Sequence, residues 1–221
     1  MLRPWPVFVT CFLILLVHSA VAGEVLEKPP ANPDPAARYL FYMHGRYVEE
    51  RGSDTNYNYD AILRELAGKG FTVIGEARGK VDIGAYARTV AGQVSALISA
   101  GVLAANITVA GHSRGGFIAL LSASFIGDPG IRFGILAACG LEGTRFRKAY
   151  RKLLNKSAQA IKGRFLVMWE QSDDETGHCD EVLQKAGAPY RNLTLTAGGG
   201  HRIFYQPENA WVDPLVAFAK E

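Results

Sequence analysis

Residues 111–115 read Gly-His-Ser-Arg-Gly, a serine with a glycine two positions to either side. The apolar run Ile107–Gly111 before it reads as a strand, and Gly115–Phe125 after it reads as a helix. A serine on such a strand–turn–helix bend projects its hydroxyl above the sheet, and side chains at Gly111 or Gly115 would collide within the bend. A serine that only capped the helix would need no glycine on both sides. The hydroxyl becomes a useful nucleophile once a base takes its proton, and the chain has five histidines. His18 lies in the N-terminal apolar run, His44 ends the first strand, His112 adjoins the serine but points across the bend, and His178 is in a loop. His201 follows Gly198–Gly200 directly after the last strand, at the sheet edge where ligands of open α/β folds bind. It is the expected base for Ser113.

A histidine base needs a carboxylate to fix its tautomer and stabilise the imidazolium. After the strand Phe165–Trp169 the chain reads Glu170-Gln171-Ser172-Asp173-Asp174-Glu175. Asp173 is placed best to turn back from the strand end. Asp174 is the next choice, and the glutamates follow. Acyl transfer also needs preorganised donors for the oxyanion. The backbone N–H of Arg114, just past the nucleophile, is one. The second is the N–H of Arg46, aimed inward by the tight Met43-His44-Gly45-Arg46 turn. The set calls for no metal and no cofactor.

Positioning these groups takes alternating elements. Tyr39–Met43, Phe71–Gly75, Ile107–Gly111, Ile131–Cys139, Phe165–Trp169 and Leu193–Thr196 read as strands, mostly apolar throughout, as expected when both faces are covered. Between and after them Asp60–Lys69, Gly84–Ala100, Gly115–Phe125, Thr144–Lys162, Asp180–Ala186 and Glu208–Lys220 read as helices. Six strands and six helices predict one α/β domain, a mainly parallel sheet wound by helices on both faces, with no cap domain.

The N-terminus sets the compartment. Arg3, an apolar run from Val7 to Val17 and Ala20-Val21-Ala22 are the parts of a secretory signal peptide, so residues 1–22 are expected to be removed near Ala22 and the protein exported to the periplasm or outside the cell. Residues 23–37, rich in proline, read as an extended arm, and residues 38–221 as the folded domain. The leader carries one cation and no acid, so a formal net charge of +3 becomes nearly balanced in the mature chain. Nucleic acid is a poor partner for such a chain. No later stretch approaches the ~20 apolar residues that cross a membrane. The expected partner is a small-molecule ester or other acyl substrate. The loop Arg46–Tyr59 carries Tyr47, Tyr57 and Tyr59, either as the lining of an acyl or alcohol pocket or as plain surface.

The strand–His-Gly turn at 39–45, Gly-x-Ser-x-Gly at 111–115, the acid loop at 170–175 and Gly-His at 200–201, in the order Ser113, Asp173, His201, resemble the α/β-hydrolase superfamily. The resemblance runs from about Arg38 to the C-terminus and implies a small, lidless, esterase- or lipase-like serine hydrolase. The HGGG run of many lipases is absent, Arg46 standing in the oxyanion turn, and Gly140–Gly163 holds one basic helix where larger members insert a cap. Fold and triad leave thioesterase, acyltransferase and peptidase chemistry open, as well as a non-catalytic binding protein on this scaffold. The fold reading also brings Cys139 and Cys179 to the same sheet edge. There a disulfide would tether the acid loop, two free thiols being the alternative.

Overall fold

The computed structural model describes residues 23–53, 56–143 and 145–221, so the leader reading lies outside the described residues. Strands β1 (Val25–Leu26), β2 (Tyr39–Met43), β3 (Thr72–Ile74), β4 (Ile107–His112), β5 (Arg132–Leu136), β6 (Arg164–Glu170) and β7 (Tyr190–Leu195) form one sheet. Its order is β1-β3-β2-β4-β5-β6-β7, and every pairing is parallel. Side chains alternate between its faces, as the period of two requires. Tyr39, Phe41 and Met43 enter one core and Leu40 and Tyr42 the other; Phe165 and Val167 oppose Leu166 and Met168 in the same way.

Helices cover both faces. On one lie α3 (Ile83–Ser99), α4 (Arg114–Ile126), α5 (Arg145–Lys156) and α6 (Asp180–Ala186), burying Val90, Val94, Ile118, Leu153 and Val182. On the other, α2 (Tyr59–Gly68) and α7 (Asn209–Lys220) bury Ile62, Leu66, Trp211 and Leu215. Local chemistry sets their limits: the Asp82 carboxylate accepts from the Ala85 N–H at the start of α3, and Gly127, left-handed at φ 65°, ends α4. No cap domain is present among the described residues.

Two differences from the sequence expectation matter. The arm at 23–37 contributes β1, because the Val73 N–H donates to Glu24 O and the Gly75 N–H to Leu26 O at 2.8 Å each. Two residues are too few to show a strand periodicity. The segment after Gly45 is likewise more than loop: Arg46–Arg51 forms a short helix, α1, whose buried Val48 joins the second core. The sheet therefore has seven strands where six were legible.

The strand order reverses between β2 and β4, the chain crossing to β3 on one side before returning to β4 on the other. In an open α/β sheet that switch point leaves a crevice at the carboxyl ends of the strands. The His44-Gly45 turn leaves β2 there and Ser113 leaves β4.

Candidate active site

Ser113 joins β4 to α4 with φ 54° and ψ −116°, a region costing an ordinary residue of order 1–3 kcal/mol. The bend is closed by its surroundings. The Ser113 N–H donates to Leu136 O at 2.7 Å. A Cβ on Gly111 would sit 2.5 Å from the Gly115 carbonyl carbon, and one on Gly115 only 2.1 Å from Met43 O. The glycines thus let β2, β4 and α4 meet at the serine. Ser113 itself is half-buried.

Asp173 and His201 come together across two loops. His201 Nδ1 lies 2.9 Å from Asp173 Oδ2, and the Asp173 side chain has no exposed surface. Its other oxygen accepts the Glu175 N–H at 2.9 Å. With Nδ1 engaged, Nε2 is the nitrogen left to take a proton. Asp174 and Glu175 are exposed.

Glu170 does something the sequence did not announce. Its buried carboxylate accepts the Ser172 N–H at 2.7 Å, the Ser172 hydroxyl, and the Gly198 N–H at 3.2 Å. It therefore clasps the loop carrying Asp173 to the loop carrying His201. The Ser172 bonds, foremost among its partners, hold Glu170 below the usual carboxylate range. The disulfide Cys139–Cys179 and the Thr176 hydroxyl, donating to Ala138 O at 2.7 Å, fasten the other side of the acid loop to the turn after β5.

On the β2 side, α1 and α4 each begin at the crevice with Arg46 and Arg114. The first N–H groups of a helix have no intrahelical partner, which leaves the backbone donors of Arg46 and Arg114, each the first residue of its helix, unused within α1 and α4. His44 aims one of them. Its imidazole Nδ1 is 2.8 Å from Gly45 O, the carbonyl of the peptide whose N–H belongs to Arg46. In a trans peptide C=O and N–H point oppositely, so holding the carbonyl against the buried His44 ring turns the Arg46 N–H the other way. Burial, reinforced by the nearby Arg78 charge, lowers His44 to about 3, which keeps the ring neutral with Nδ1–H as donor. A Cβ on Gly45 would lie 3.1 Å from His112 Nδ1 and 3.4 Å from Ser113 Cβ, so the turn rests directly against the serine.

A buried ion network ties the two helix starts together. Glu49 of α1 accepts from Arg78 Nη2 at 2.9 Å and ion-pairs with Arg114 Nε at 3.1 Å, the Glu49 and Arg78 side chains being almost wholly buried. Arg78 also donates to His44 O at 2.6 Å, and Arg114 Nη2 to Val81 O at 2.9 Å. One carboxylate so links the turn after β2, the loop after β3 and the start of α4.

Aromatic packing backs the histidine loop. His112 is buried with its ring centroid 4.6 Å from His201 and 5.2 Å from Phe204, and Tyr57 OH approaches His112 Nδ1 at 3.3 Å. Burial, then the neighbouring His201, hold His112 well below its ordinary value. Tyr57 also packs on Tyr205 at 4.6 Å, with half-buried Tyr47 against that same ring at 5.4 Å. Tyr57 and Tyr59 are core residues, not the lining of a mouth. Glu49, Arg78 and Glu170 were the residues whose part was hidden: a charge just after a strand reads as solvated loop until strand order brings the loops together.

No family model matches the chain, and no curated protein matches it in sequence. Solved structures do match in fold. Esterase B of Lactobacillus rhamnosis shares 15% identity over 86% of this chain and 79% of its own, at a TM-score of 0.55. SOBER1 of Arabidopsis thaliana shares 13% over 84% and 98%, at 0.52. The S-formylglutathione hydrolase FrmB of Staphylococcus aureus shares 18% over 88% and 82%, at 0.50. At these identities the likeness is one of architecture, and it agrees with the single parallel sheet, its switch point and its two helical layers: the chain has the α/β-hydrolase fold.

Proposed function

We propose that this protein is a serine hydrolase that cleaves small or medium carboxylic esters through an acyl-enzyme. Ser113 Oγ attacks the ester carbonyl while His201 Nε2 takes its proton and later gives it to the leaving alcohol. Asp173 orients the imidazole and stabilises its cation. The N–H groups of Arg46 and Arg114 hold the oxyanion, and water activated by His201 releases the acid and restores the serine. The observation that carries this reading is the His201–Asp173 hydrogen bond, at the same sheet edge as a serine in a strained backbone conformation. The esterase and hydrolase names of the structural neighbours are in keeping with it. Ser113→Ala should abolish hydrolysis of p-nitrophenyl acetate with the circular dichroism spectrum unchanged, and a fluorophosphonate probe should label Ser113 in the wild-type protein. Retained turnover in the variant would overturn the assignment.

The proposal includes export. The N-terminal leader pattern and a disulfide, which persists mainly in oxidising compartments, support it. N-terminal sequencing of protein from the periplasm or medium should begin at Gly23; an intact leader would count against export.

A further inference from the structure

Two adjoining cavities open beside the oxyanion turn. The first, about 500 Å³, is walled by Arg46, Lys80 and Arg114, and the second, about 610 Å³, continues from it, the two sharing Val81, Ile83, Arg114 and Ala149. The second follows α4 away from the serine, over Phe117, Leu121 and Phe125, with Leu153 of α5 opposite. At 1.5 Å per residue, Phe125 stands about 18 Å along the helix from Ser113, so the floor is a long apolar trough. Phe125 is 41% exposed at its far end.

The far rim is cationic. Lys152 and Lys156, one turn apart on α5, line the second cavity and are exposed, and Arg88 stands across from them over the Phe125 ring at 4.9 Å. Their helix also carries Arg147 and Arg151, but those are engaged by Glu142 and Glu181. Among the described residues no carboxylate lies within ion-pairing distance of Lys152 or Lys156. The acid on this rim, Asp82, is already used in capping α3. In the near cavity, Glu49 and Glu50 are matched by Arg78, Arg114 and Arg46. A path that leaves Arg114, the neighbour of Ser113, passes over the apolar floor of the second cavity and ends under unmatched ammonium groups is complementary to one kind of molecule.

We propose that this trough is an acyl subsite for chains ending in an anion: the ester carbonyl sits at Ser113, the methylenes lie over Phe117, Leu121 and Leu153, and a terminal carboxylate or similar anion meets Lys152 and Lys156. This deepens the hydrolase reading and rests on it. Burying methylenes supplies affinity in proportion to chain length, and the two lysines select the charged terminus.

The test compares p-nitrophenyl half-esters of linear dicarboxylic acids with p-nitrophenyl esters of monocarboxylic acids of equal length. Wild-type protein should favour the long half-ester in kcat/KM by about tenfold at low salt, the scale of two exposed ion pairs. That preference should shrink with added salt and fall close to one in the double variant Lys152→Ala, Lys156→Ala. Equal use of the paired esters by the wild type, or a preference that survives the double variant, overturns the subsite. p-Nitrophenyl acetate separates this from the catalytic reading, because a wild type that hydrolyses acetate but ignores the terminal charge refutes the trough alone. If no ester turns over, the catalytic reading fails, and calorimetry with free sebacate decides the trough: binding lost in the double variant sustains it, and no binding to the wild type refutes it.

Discussion

His44, buried beside the Ser113 turn, bears on stability and, under the proposed mechanism, on catalysis. An unfolded histidine binds a proton near pH 6.5, but burial lowers folded His44 to about 3. Below pH 6.5 the unfolded chain therefore takes up a proton that the folded chain refuses. Stability from this group is present above the unfolded value and is lost as pH falls from there towards 3. Between pH 7 and pH 5 the loss works out at about 2 kcal/mol for His44 alone. Replacing it with asparagine keeps an N–H donor at the place of Nδ1 but removes the titration. His44→Asn should thus lose about 2 kcal/mol less than wild type over that pH range, in urea unfolding followed by circular dichroism, whatever its stability at pH 7. His44→Phe removes the donor that fixes the Gly45–Arg46 peptide. In that variant kcat for p-nitrophenyl acetate should fall by about a hundredfold, the scale of one lost oxyanion donor, while His44→Asn retains most of it. Matching pH dependence in wild type and His44→Asn would refute the neutral buried ring. Full activity in a folded His44→Phe protein would refute its hold on the peptide.

Asp173→Asn should lower kcat by about 10⁴-fold, as loss of the triad carboxylate does where the tautomer is no longer fixed. Asp174→Asn, at an exposed neighbour, should be close to wild type; both are read in the same ester assay. Glu170→Gln leaves one oxygen for three donors and should lower kcat with little change in KM, because it loosens the loops of Asp173 and His201 together; an equal rise in KM would point to a role in substrate binding instead. Cys139→Ala with Cys179→Ala should cost roughly 4 kcal/mol in urea unfolding, from a closure of 40 residues in the chain-entropy model. Gly115→Ala forces a Cβ to within 2.1 Å of a backbone oxygen, and its thermal midpoint should drop by several degrees or the protein should fail to fold.

How much was legible depends on whether a residue acts through local pattern or through topology. Continuous apolar runs fixed β2, β4 and β6 to within a residue or two because buried parallel strands are apolar on both faces. Ser113 and the acid run could be nominated because each follows a strand directly, where turn chemistry is local, and His201 because the Gly198–Gly200 run carries it a few residues past the last strand. Choosing Asp173 over Asp174 also rested on reach from a strand end. The remainder was written in contacts between elements far apart in sequence. Arg78 and Glu49 lie 29 positions apart and meet only because β2 and β3 are neighbours. Tyr57 and Tyr59 sit in a polar stretch that reads either as pocket lining or as surface, yet both rings are buried, Tyr57 against Tyr205 of the histidine loop. β1 and α1 were invisible for a simpler reason: at two and six residues they are shorter than any periodicity that could declare them.

The same sheet edge collects the backbone's unfavourable conformations. Ser113, Ala137 and Cys139 are the non-glycine residues of positive φ among the described residues, and all three follow the carboxyl ends of β4 and β5. At 1–3 kcal/mol each they cost on the order of 5 kcal/mol, a large share of a typical domain's net stability. Strain of that size persists only where neighbours over-determine the chain, and here they do. The Ser113 N–H is held by Leu136 O, the Ala137 N–H by Met168 O at 2.7 Å, and Cys139 is joined covalently to Cys179. The bridge, worth about 4 kcal/mol in the chain-entropy model, is thus of the same size as the strain it sits beside. Cutting it should be felt first at the crevice rather than through the whole sheet, because the remaining strands are paired along their length by parallel ladders that do not pass through Cys139.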